Sequence, residues 1–174
     1  MSARRRIGRR GASILEFSMI GIGMIFVVLS FFEIARGMWI YHTLAFAVRE
    51  GARYASVHGK DCAPPYSSPG CQVTISQIAT VIRSAGPGLD GDNTTVTLTP
   101  AVGSATSDTI SNLIANYTTV YWPPATAYSP GQTVKITATY PFRTFLAVFW
   151  FGGRPLNDSQ VFTLGASSTE TIQF

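Results

Sequence analysis

The sequence predicts an α+β protein: a long N-terminal transmembrane helix, then a small domain with a short helix and an antiparallel sheet. Three observations carry this reading. Arginines crowd the first ten residues and directly precede a largely apolar run from Ala12 to Ala35; mostly small side chains then continue at helical spacing; and the second half alternates apolar residues with threonines. With 174 residues the chain has room for one domain plus an anchor, because folded domains usually run to about 100 to 150 residues.

The hydrophobic content of 46% is high for a soluble domain, and the surplus sits in that one run. The net charge of +4 arises from Arg4, Arg5, Arg6, Arg9 and Arg10; without them, 8 basic side chains stand against 9 acidic ones. A basic arm gripping phosphate is one reading of such a cluster. Placement immediately before an apolar run favours a topology signal instead, so no nucleic-acid partner is expected.

As a helix, Ile14 to Ile34 spans about 31 Å at about 1.5 Å per residue, close to the roughly 30 Å hydrocarbon core of a bilayer. One crossing is expected, over about residues 14–35. The arginine-rich end stays cytoplasmic, and the chain beyond roughly Trp39 lies in the periplasm. A secretory signal peptide fits less well, since its apolar stretch is about 7 to 15 residues and a small-x-small site follows it. Ala35-Arg36-Gly37 is not such a site.

Past the membrane the helix is expected to continue to about His58-Gly59, because Met38, Tyr41, Ala45, Val48, Ala52 and Ala55 recur at steps of three and four. A helix over 12–58 would be about 70 Å long. Cys62 and Cys71 then flank a proline-rich loop. Past a membrane they are expected to close a disulfide; zinc would need four ligands, and His42 and His58 have no ligand-like spacing with them.

Thr74-Ile75-Ser76-Gln77 reads as a capping box opening a short amphipathic helix through Ile75, Ile78, Ala79 and Ile82, ending near Gly86. Val96 and Leu98 alternate with threonines, as do Val134, Ile136, Ala138 and Tyr140 with Lys135, Thr137 and Thr139, the period of half-buried strands. Residues 160 to 173 offer a further strand or two, whereas Gly103 to Ser111 and Trp122 to Gly131 read as loops. The aromatic segment Phe142 to Phe151 is too short to span a bilayer as a helix. It is read as a buried strand or loop, the other reading being an exposed patch that binds a partner or touches the membrane.

Two features interrupt the apolar span. Glu16 is an ionisable group just inside it, which either snorkels to the headgroups or meets a partner. Gly21-Ile22-Gly23 weakens the helix locally by about 1 kcal/mol per glycine relative to alanine, and serves either packing against a neighbour or a flexible joint.

Arg10-Gly11-Ala12-Ser13-Ile14-Leu15-Glu16-Phe17 resembles a type IV prepilin processing site, in which a basic leader ends in glycine and glutamate is the fifth residue after it. Phe46-Ala47-Val48-Arg49-Glu50-Gly51-Ala52-Arg53-Tyr54-Ala55 resembles the post-membrane signature of TadE-like proteins, the minor pseudopilins of tight-adherence pili. Many such helices carry a proline about six residues after the glutamate; here Ile22 stands there between two glycines.

The resemblance implies a basic leader over residues 1–11, the long helix over 12–58 and a periplasmic α+β domain over 59–174. It implies cleavage between Gly11 and Ala12 by a prepilin peptidase. Glu16 and Phe17 would serve subunit assembly, and Arg49, Glu50, Gly51, Ala52 and Arg53 the helix signature. The expected function is in assembly of tight-adherence pili, hence in adhesion and surface colonisation. The expected partners are the peptidase, other pilins and pseudopilins, the inner-membrane assembly platform and the lipid bilayer. The alternative is an unprocessed, membrane-anchored periplasmic binding module.

No enzyme activity, cofactor or metal is expected. Both histidines lie in or beside the stem, so a Ser-His-Asp arrangement would need the fold to bring a base to a distant serine. Gly86-Pro87-Gly88-Leu89-Asp90-Gly91 has the glycine pattern of a dinucleotide loop but follows a helix and contains proline, so it reads as a turn. Asn93-Thr94-Thr95, Asn116-Tyr117-Thr118 and Asn157-Asp158-Ser159 match the glycosylation acceptor pattern, but three chance matches in a chain this rich in threonine and serine mean little if the source is bacterial.

Overall fold

The computed structural model describes the backbone of residues 9–57, 73–124, 126–127, 129–144 and 161–172, with side chains from Ser13 onward except that of Val161. Helix α1 (Arg9–Val57) is followed by α2 (Ile75–Ala85), β1 (Thr95–Thr99), β2 (Thr106–Thr109), α3 (Ile110–Asn116), β3 (Thr133–Arg143) and β4 (Val161–Thr171). The strands form one antiparallel sheet in the order β2-β1-β3-β4. This is the predicted architecture of long helix, short helix and antiparallel sheet, with residues 160 to 173 supplying one strand.

Each strand follows its own alternation. Val96, Leu98, Val134, Ile136 and Ala138 are buried on the inner face of the sheet. Their neighbours form hydroxyl rows on the other face; one runs Ser107, Thr97, Thr137, Ser167 across all four strands. Thr97 and Ser107 hydroxyls bond at 2.8 Å. β-branched threonine suits the pleated backbone and leaves its hydroxyl solvated, so one face can be polar without weakening the strands. Pro141 is tolerated because β1 ends opposite Thr139, leaving β3 a partner on one side only.

The inner face is covered by α1 and α2. The capping box holds as predicted: the Thr74 hydroxyl accepts from the Gln77 N–H at 3.3 Å, and the Gln77 side chain accepts from the Thr74 N–H at 3.0 Å. Ile75, Ile78, Ala79 and Ile82 of α2 are all buried. Residues 86–93 form bends and turns, as their glycines suggest.

The region Gly103 to Ser111 is not a loop throughout. It contains β2 and the start of α3, where the Thr109 hydroxyl caps the helix by accepting from the Asn112 N–H at 3.4 Å. No residue of β2 is fully buried, so the strand has no apolar alternation to announce it and exists through its pairing with β1. Ile110 and Leu113, one turn apart, dock α3 into the core.

The stripe on α1 is also rotated from its predicted position. Val48, Ala52 and Ala55 are buried, but Met38 and Tyr41 are exposed, and Leu44, Ala47 and Gly51 complete the covered face. Toward the N-terminus that face continues through Ile40 and Gly37, where the Phe142 ring lies against the helix.

Candidate functional site: the apolar stem and its seat on the domain

From Ser13 to Phe32, no residue of α1 is buried. Phe17 and Met19 are about four-fifths exposed, and every large apolar side chain from Ile14 to Phe32 is exposed. This segment is long and apolar enough to cross a membrane. So large an apolar surface demands lipid or neighbouring helices rather than water.

The helix runs unbroken through Gly21 and Gly23, and a side chain added at either would meet nothing within 4 Å. Among the described residues, then, neither glycine makes room for a packing neighbour. Glu16 and Phe17 are exposed on the first turns, one helical turn or slightly more beyond Ala12. Gly11 and Ala12 lie within the first turn of α1 rather than ahead of it, since the helix begins at Arg9.

The stem meets the domain at residues 33–37. Arg36 pairs with Glu33 one turn earlier at 3.2 Å. Its guanidinium lies 4.5 Å from the centre of the Phe142 ring and donates to the Arg143 carbonyl. The ring in turn covers Gly37, where a Cβ would meet it at 3.6 Å. This junction joins residues 107 positions apart in the chain. Sequence reasoning missed it; the available signal was an opposite-charge pair at i,i+3 where the apolar run ends.

The predicted signature residues divide by face. Arg49 and Arg53 are exposed, Glu50 is half-buried, and Gly51 and Ala52 are buried. At Gly51 a Cβ would lie 2.5 Å from the Ile82 side chain, so α1 and α2 approach closely only because residue 51 has no side chain. Small residues in this motif therefore set the seat of the stem on α2, while the arginines point outward. Cys62 and Cys71 lie outside the described residues, as does the aromatic segment beyond Thr144; Phe142 itself is buried.

No curated protein and no solved structure matches the chain. A family model does match, over the stem alone: residues 11–53, from the predicted processing junction through the Arg49 to Arg53 signature, fit the model of TadE-like proteins, so this chain carries a TadE-like stem.

Proposed function

We propose that the chain is a minor pseudopilin, cleaved after Gly11 by a prepilin peptidase and required for assembly of tight-adherence pili, and that it has no catalytic activity. The observation that carries the reading is the exposed apolar stem, which begins at the cleavage junction and lies within the TadE-like match. Such a stem holds the protein in the inner membrane, with the arginine-rich end cytoplasmic and the sheet domain periplasmic. It also offers one continuous surface to the stems of other pilins and to the assembly platform.

Cleavage creates an ammonium at Ala12, one helical turn from the Glu16 carboxylate. In a medium of low dielectric, opposite charges attract far more strongly than in water, so pairing offsets the desolvation of both and sets the axial register between neighbouring stems. Mass spectrometry of the mature chain from cells containing the peptidase should give an N-terminus at Ala12. Glu16→Leu should insert, be cleaved and fail to support piliation. An intact N-terminus would refute processing and favour an anchored binding module; normal piliation by the variant would remove the carboxylate from assembly.

A further inference from the structure

The junction at Arg36 fixes how the domain stands on the membrane. After the apolar run, charge returns at Glu33 and Arg36, which places the end of the hydrocarbon at about this turn of α1. Arg36 donates to the Arg143 carbonyl and lies against Phe142, so the end of β3 is held at the same level. Arg143 pairs directly with Val161, so β4 begins there too.

The side chains at this end suit an interface between water and lipid. Trp39 is 67% exposed and Phe162 is 64% exposed, although Phe162 stands opposite the buried Phe142 on the sheet face that receives α1. Arg143 is exposed. Aromatic side chains mixed with arginine at headgroup level are what membrane interfaces favour.

We propose that the β3–β4 end of the sheet is a second membrane contact, in which Trp39, Arg143 and Phe162 rest against the headgroups of the leaflet on the domain's side. The proposal rests on α1 being the membrane span. It makes the domain an upright body held at two places, by the stem and by the hairpin end, with a fixed orientation about α1 before any other subunit binds.

The distal end of the domain provides the control. Gly86 approaches Ala47 and Ile82 meets Gly51, so α2 runs antiparallel to α1 and its start at Thr74 lies farthest from the membrane. Tyr121, bridged to Thr74 and 57% exposed, marks that end. The test places a benzophenone side chain at Met24, which is 69% exposed, at Phe162 or at Tyr121 of the full chain, one copy per nanodisc of phosphatidylethanolamine and phosphatidylglycerol, and reads photo-adducts by mass. Lipid adducts are expected at Met24 and Phe162 and should be lost at Tyr121. Adducts at Met24 without any at Phe162 overturn the second contact and leave the span standing, as does cross-linking of Phe162 into protein instead of lipid. No lipid adduct at Met24 overturns the span and the proposal together. Equal adducts at Phe162 and Tyr121 overturn the upright orientation on which the contact depends.

Discussion

Replacing Gly51 by alanine should destabilise the domain even though alanine is the better helix former. In an open helix the change would gain about 1 kcal/mol. Here the new methyl carbon would sit 2.5 Å from Ile82 Cγ1 and 2.9 Å from Ile82 Cδ1, with Ile136 Cδ1 at 3.8 Å behind. Ile82 and Ile136 are both fully buried, so the isoleucine cannot swing into solvent and α1 must move away from α2. Overpacking of this kind costs about 1 to 3 kcal/mol. Set against the propensity gain, the net loss is about 1 kcal/mol, roughly a fivefold fall in the ratio of folded to unfolded protein.

Ile82→Ala alone should cost about 2 to 5 kcal/mol through the cavity it leaves. Combined with Gly51→Ala it should cost less than the sum, by about 1 to 2 kcal/mol, because the methyl then occupies vacated space. Urea unfolding of the four proteins in detergent, followed by circular dichroism, gives the cycle. A stabilised Gly51→Ala, or a double variant additive to within about 0.5 kcal/mol, would refute the close-approach argument.

Removing the cap with Thr74→Ala should lower stability by about 1 kcal/mol, whereas Thr74→Ser, which keeps the acceptor, should stay near the parent in the same assay. Ile136→Ala, at a fully buried position, should cost about 2 to 5 kcal/mol. Lys135→Ala, its exposed neighbour on the outer face, should stay within about 0.5 kcal/mol of the parent, and comparable losses for both would contradict the assignment of faces. Cys62 and Cys71 should resist thiol labelling in the full chain without reductant and label fully after reduction; stoichiometric labelling beforehand would exclude the bridge.

Patterns that repeat over short distances are legible in the order of the amino acids alone. The apolar stem is legible because a helix able to cross a membrane needs one long apolar stretch, and this one follows directly on a cluster of arginines. Helix α2 is legible because both partners of its capping box lie within four residues and its apolar residues recur at helical spacing. The cores of β1 and β3 are legible from period-two alternation. The match over residues 11–53 falls in this same locally patterned part of the chain.

Tertiary structure decided what depends on distant residues meeting. Strand β2 carries no apolar period and is held by pairing with β1. The covered face of α1 was set by what lies opposite: Ile82 leaves room for no side chain at Gly51 and Phe142 lies against Gly37, while Met38 and Tyr41 face outward despite their apolar character. The Arg36 junction joins the end of the apolar run to the end of β3 through one guanidinium, one ring and one carbonyl. A periodic pattern says that a side chain seeks burial, but only the approach of a second segment decides which burial is available, because close packing admits few arrangements and shape is settled between elements rather than within them.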